Sequence, residues 1–317
     1  MDEREALRLL GGSVPAAGDD CAVVGDRVLT TDMLHESTDF PAGVTRYTAG
    51  WRSVAASLSD VAAMGADAEA AVAVYAAPTF EESELTAFVR GATDVCAAVD
   101  AEYVGGDLDE AAEFTAATTA LGEAESPVRR SGAEPGDAVC VTGSFGRSAA
   151  ALRRFAAGDV DRGNDLFRFT PRVAAGVALR QYASAMMDSS DGLARSLHQL
   201  AEASDCGFAV EEAAVPVDSA VDEALEATGA GTDDGNDGGD DGNSNDGGAG
   251  DGTARREAAL FFGEDFELVF TVPADDVDAA VAASPTQVTR LGTVTEAECG
   301  VRMDGDPLPD RGYGHGS

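Results

Sequence analysis

The chain of 317 residues contains no lysine, so all 21 of its basic residues are arginines. This one absence excludes the lysine-dependent phosphate loop, the strand lysine of protein kinases and Schiff-base chemistry. Histidine is scarce as well: only His35, His198 and His315 occur, and none is paired at a zinc-binding spacing. The cysteines Cys21, Cys96, Cys140, Cys206 and Cys299 are odd in number and widely spaced, without a C-x-x-C pair. They predict reduced thiols and a cytoplasmic location. No apolar run approaches the roughly 20 residues needed to cross a bilayer. The opening Met1-Asp2-Glu3-Arg4 lacks the apolar core of a signal peptide.

Acid is what the chain has in excess. Its 58 aspartates and glutamates give a formal net charge of −37. Such a surface repels phosphate backbones and anionic headgroups, so neither nucleic acid nor membrane is expected as a partner. The charge points to a halophilic setting, where screening shortens self-repulsion to about 3 Å at 1 M salt. A 44% hydrophobic content supports a globular chain, and the length suffices for two cores.

Periodicity predicts a short helix over Glu3–Leu10, strands around Ala22–Val24 and Arg27–Asp32, and a helix from Val44 to Met64 with Trp51 in the core. A buried strand (Ala68–Ala76), a helix (Ser83–Val99) that leads to Tyr103-Val104-Gly105-Gly106-Asp107, and a strand (Thr115–Gly122) follow. The alternation argues an α/β (α+β) layered fold. Turn chemistry at Ser131-Gly132 through Pro135-Gly136 places a boundary between an N-terminal domain, 1–128, and a C-terminal domain, 129–317. The second half reads as a strand at Ala138–Thr142, helices to Phe155 and over Arg172–Gln181, and an apolar run ending at Met187. A helix to about Ala203, a strand at Phe208–Glu211, a helix at Asp275–Ala283 and strands near Val288–Val294 complete it. Residues 229–254 are almost purely Gly, Asp and Asn and are expected to form a disordered insertion.

The stretch Met187-Asp188-Ser189-Ser190-Asp191-Gly192-Leu193 reads as strand, acidic turn, helix. Two aspartates so mounted can face one hard cation, and the same turn serves equally well as a helix cap. Five further segments share its design, namely Asp19-Asp20, Thr31-Asp32, Ser59-Asp60, Gly106-Asp107 and Glu264-Asp265. Each is expected at an element end beside Gly, Ser or Thr, where backbone and ligand can approach closely. Short oxygen ligands suit Mg2+. Many carboxylates without lysine suit transfer of a phosphoryl group onto an acceptor that is itself a phosphate, ionised near neutral pH. Repulsion between two polyanions is then the obstacle, and cations held by acids remove it. A non-enzymatic acidic metal-binding protein is the contrasting reading.

The segments Gly18-Asp19-Asp20-Cys21-Ala22, Thr30-Thr31-Asp32-Met33-Leu34, Ser57-Leu58-Ser59-Asp60-Val61, Gly105-Gly106-Asp107, Arg130-Ser131-Gly132-Ala133, Asp188-Ser189-Ser190-Asp191-Gly192-Leu193 and Gly263-Glu264-Asp265-Phe266-Glu267-Leu268 resemble, in this order, thiamine-monophosphate kinases. The resemblance implies an aminoimidazole-ribonucleotide-synthetase-like pair of domains, a homodimer formed through the N-terminal sheet, and transfer from ATP to thiamine phosphate. Within that superfamily, selenophosphate, purine-pathway and hydrogenase-maturation enzymes are the rivals. Carried over by position, it implies Asp20, Thr30, Thr31, Asp32, Asp60, Asp107, Asp188 and Asp191 as Mg2+ ligands. Gly106, Asp107, Arg130 and Ser190 would contact ATP, with Arg130 as electrostatic stabiliser and no general base. Asp39, where the family often has histidine, would contact thiamine phosphate together with Glu264 and Tyr313.

Overall fold

The computed structural model describes residue 14 and residues 17–229 and 247–313. The helix expected over Glu3–Leu10, and 230–246 of the expected insertion, lie outside the described residues. Strands β1 (Ala22–Val24), β2 (Arg27–His35), β3 (Asp67–Ala77), β4 (Glu102–Glu110) and β5 (Thr115–Glu123) form one sheet in the order β1-β2-β5-β3-β4. All neighbours are antiparallel except β3 and β4. Strand β2 shows why one face closes: Val28 and Leu34 point into the core, while Leu29, Thr31 and Met33 alternate onto an open face.

The covered face carries α2 (Arg46–Ala63) and α3 (Glu82–Ala97); α1 is the single turn Glu36–Asp39 after β2. Thr45 caps α2 by accepting from the Thr48 N–H, and Gly65 leaves it with φ +63°. Val54, Leu58 and Val61 give the helix its apolar face. Two glycines allow α2 and α3 to touch: a Cβ on Gly50 would lie 2.1 Å from the Phe88 carbonyl oxygen, and one on Gly91 2.0 Å from that of Tyr47. Trp51, expected in the core, is only half-buried and bridges to the second half, donating from Nε1 to the Phe169 carbonyl.

The second half holds β6 (Ala138–Thr142), β7 (Ala185–Asp188), β8 (Cys206–Val210), β9 (Leu268–Val272), β10 (Val288–Glu296), β11 (Val301–Met303) and β12 (Asp306–Pro307). They order as β12-β11-β8-β10-β6-β9-β7, a mixed sheet in which only β8 and β11 run parallel. Its helices are α4 (Arg147–Ala156), α5 (Val160–Phe167), α6 (Val173–Leu179), α7 (Leu193–Ser204), α8 (Ser219–Gly229), α9 (Gly247–Leu260) and α10 (Val277–Ala283). Helix α9 takes in 247–254, the last part of the stretch expected to be disordered.

The two halves share an apolar seam in which Phe40, Phe88 and Phe114 meet Phe155, Leu166 and Phe167. The acidic segments are not all at element ends. Thr30 to Asp32 lie inside β2, and Gly106-Asp107 inside β4. Aspartate is depleted in strands, which suggests a stop at Asp32. Leu34, two residues on, packs into the core and continues the pairing to His35.

Candidate active site between the two sheets

Helix α2 carries Ser59 and Asp60 in its last turns, and β7 ends with Asp188. Carboxylate oxygens of Asp20, Asp60 and Asp188 lie within 4.8 Å of one another. Hydroxyls hold them: Thr30 Oγ1 donates to Asp60 Oδ2 at 2.6 Å, and Ser59 Oγ to Asp188 Oδ2 at 2.7 Å. Asp32 accepts from Ser57 Oγ at 3.0 Å, and Ser57 itself meets Thr118 Oγ1 at 2.7 Å. Strand alternation puts Thr30 and Asp32 on this side and Thr31 on the other, where its hydroxyl donates to the Thr118 carbonyl.

Burial, then the charges of Asp32, Asp188 and Asp20, raises the Asp60 carboxyl well above the ordinary range. Asp188 is pushed up to about 7 by burial and Asp20, against hydrogen bonds from Ser59 and Ser190 and the charge of Arg130. Arg130 stands beside these acids, its Nε and Nη2 meeting the two oxygens of Asp20 at 3.1 and 2.9 Å. Burial lowers the Arg130 pKa, but Asp20 outweighs it and the net direction is upward. The residue expected on a nucleotide is thus paired with a residue expected on a metal. An all-oxygen set of carboxylates and hydroxyls, with the Asp60 and Asp188 carboxyl pKa values lifted by burial and by neighbouring carboxylates, fits a hard divalent cation.

The turn after Asp188 does not cap its helix. Gly192 occupies the N-cap position of α7, with φ +100° and no side-chain cap bond, so neither Ser190 nor Asp191 plays that part. Backbone atoms of the turn instead hold two other segments. The Ser190 carbonyl accepts from Glu264 N at 2.7 Å, and the Asp191 carbonyl from Tyr313 N at 2.9 Å. A cavity of about 300 Å3 opens beside it, lined by Asp39, Phe40, Phe167, Phe262, Glu264 and Tyr313. Tyr313 is docked on Phe262, with ring centroids 5.6 Å apart. Burial, then the charges of Glu264 and Asp39, raises its phenol pKa. Asp39 is buried and accepts from His35 N at 2.6 Å and Thr38 Oγ1 at 2.8 Å.

The structure therefore gathers Asp20, Thr30, Asp32, Asp60, Asp188 and Arg130 at one centre, and Asp39, Glu264 and Tyr313 around one cavity. The turn carrying Ser190 and Asp191 joins the two. Gly106 and Asp107 stand apart on the edge strand β4, with β5 and β3 between it and β2. Three interstrand spacings put β4 about 14 Å from β2. Asp107 is paired opposite Val74 in the register and is exposed. Ser57, Ser59, Thr118 and Arg52 were not singled out as site residues from the sequence. Ser59 carried a signal, as the small neighbour of Asp60, while the others support the site only through tertiary contacts.

The AIR synthase related protein models match this chain, the N-terminal domain over residues 18–124 and the C-terminal domain over 134–304. It is 58% identical to the thiamine-monophosphate kinase of Halobacterium salinarum over 99% of this chain and 100% of that one. The chain belongs to the thiamine-monophosphate kinase family. The family member from Methanospirillum hungatei is 37% identical, with 99% of each chain covered. A solved structure of AaThiL complexed with AMPPCP and TMP superposes with a TM-score of 0.83 at 26% identity, covering 98% of this chain and 96% of that one. The expected aminoimidazole-ribonucleotide-synthetase-like α/β fold is thus the fold of this kinase family member.

Proposed function

We propose that the protein transfers a phosphoryl group from ATP to thiamine phosphate, giving thiamine diphosphate, with Mg2+ held between its two sheets. The observation that carries this reading is the triad Asp20, Asp60 and Asp188, drawn from a loop, a helix end and a strand end to within 4.8 Å beside a cavity with its own carboxylates. Asp20, Thr30, Asp32, Asp60 and Asp188, with Asp191 nearby, would hold the cations. Bound there, Mg2+ neutralises and aligns the phosphates of donor and acceptor.

The rest is done by this chain's own residues. Arg130, freed from Asp20, would take a phosphate in a two-pronged bond that lysine could not make. Ser190 presents its hydroxyl at the turn for ATP. Asp39, Glu264 and the Tyr313 ring suit the thiazolium cation, by charge and by cation–π attraction. No general base is assigned, because the acceptor phosphate is ionised near neutral pH. The roles of Thr31, Gly106 and Asp107 rest on the resemblance alone. A homodimer through the open sheet face, a high-salt environment and a cytoplasmic location complete the reading, supported respectively by exposed Met33, Val72 and Val74, by the charge of −37, and by the scattered thiols.

The test is ADP release in high KCl with Mg2+, comparing thiamine phosphate with free thiamine, an aminoimidazole precursor and selenide. ADP formed specifically with thiamine phosphate is expected. Equal or greater turnover with another acceptor would remove the reading.

A further inference from the structure

Among the described residues, one of the largest fully buried side chains is charged. Arg52, in the middle of α2, is 1% exposed, in a place where a guanidinium without partners would be costly. Its partners all come from the second half. Nη1 donates to the Phe167 carbonyl at 2.6 Å; Nη2 donates to the Glu264 carbonyl at 3.1 Å and to Glu264 Oε2 at 2.7 Å. The guanidinium lies 3.7 Å above the Phe167 ring, and the stacked rings of Phe169 and Phe266 flank it at 5.5 Å.

The segment it grips has an unusual backbone. Gly263, Glu264 and Phe266 have φ of +79°, +61° and +53°, and left-handed non-glycine residues persist only where surroundings enforce them. Ser148 Oγ adds a bond to the Glu264 carbonyl, and Asp265 is fixed by the N–H groups of Gly146 and Ser148. A structural tie between halves would be served by the backbone bonds alone. Arg52 also takes one carboxylate oxygen of Glu264, while Oε1 has no hydrogen bond among the described residues and belongs to the side chain that lines the 300 Å3 cavity.

We propose that Arg52 is a positioning residue for substrate: it clamps Glu264 by one oxygen and its carbonyl, so that the other oxygen is presented to the cationic part of thiamine phosphate. The inference rests on the proposed role of that cavity. Lysine cannot replace the clamp, because a point charge cannot meet two carbonyls and a carboxylate in one plane.

Alanine at 52 would leave Glu264 without its partner and risks unfolding, so the informative variant is Arg52→Lys. Arg52→Gln, which keeps donors for the carbonyls, replaces it if lysine does not fold. Either is compared with Glu264→Gln and with the double variant, by steady-state kinetics in thiamine phosphate and in ATP alongside thermal melting. Loss of a charge-assisted contact predicts a KM for thiamine phosphate raised on the order of tenfold. The KM for ATP stays within about twofold, and the double variant is no worse than Glu264→Gln alone. A lowered Tm with unchanged KM for thiamine phosphate, equal rises in both KM values, or additive effects in the double variant would overturn the proposal. If Glu264→Gln leaves that KM unchanged while the wild type turns over thiamine phosphate, the cavity assignment falls and the proposal falls with it. Absence of wild-type turnover instead condemns the kinase reading itself.

Discussion

Burial, and then the three carboxylates around it, raise the Asp60 pKa, so its charge is a local burden unless a cation is present. Asp60→Asn is therefore expected to raise the Tm of the cation-free protein while cutting turnover at least about a hundredfold, checked by melting curves and ADP release on one preparation. Arg130 gives the complementary case. With its bond to Asp20 removed, Arg130→Gln should bind Mn2+ several-fold tighter without nucleotide, as read by calorimetry, and should bind ATP more weakly. Asp265 supplies a pH signature. Burial lifts its pKa to about 7 against two backbone N–H donors, well above its unfolded value. Between the two pKa values the native state binds the extra proton, so stability from this group falls as pH rises towards 7. Asp265→Asn should flatten the decline of Tm between pH 5 and pH 8 in fixed salt. The centre's acids were legible because each stands beside Gly, Ser or Thr in sequence. Arg52 was not, since nothing in Gly50-Trp51-Arg52-Ser53 distinguishes a buried arginine from a solvated one.

Helix α2 places both kinds of residue, carrying Arg52 at its middle and Ser59 and Asp60 in its last turns. Its seat on α3 depends on Gly50, whose Cβ position is already taken by a carbonyl oxygen. Gly50→Ala should destabilise the protein by about 1–3 kcal/mol, since helices that cannot separate must strain. Denaturant titration measures this; an unchanged midpoint would mean that α3 can slide. The long periodic elements were readable from sequence: α2, α3 and α7 show 3.6-residue spacing, and β3 and β6 are apolar runs. The one-turn α1 and the short strands β11 and β12 hold too few residues to express a period. The strand limit at Asp32 misled for another reason, because an acid breaks an apolar pattern without ending the pairing of the backbone.

Across the whole molecule, the open face of the first sheet exposes Leu29, Met33, Val72 and Val74 on a strongly acidic protein. An apolar patch of this kind marks an interaction surface. Met33→Arg combined with Val74→Arg should convert the proposed dimer to a monomer in sedimentation velocity, and the same molecule at low salt should lose stability through the repulsion of its net −37 charge. The two-domain architecture was legible in the order of strands and helices. The seam of Phe40, Phe88 and Phe114 against Phe155 and Phe167 was not, because these residues are separated in sequence and meet only when the halves dock.

The chain's one tryptophan sits on that docked boundary. Trp51, next to Arg52 in the chain, belongs to the first half by sequence, yet its indole N–H is held by the Phe169 carbonyl of the second. The protein thus carries an intrinsic fluorophore at the joint between its halves, uncontaminated by any other indole. Its emission reports on that boundary rather than on the bulk of the fold, and a ligand that shifts one half against the other will write its effect into a single spectrum.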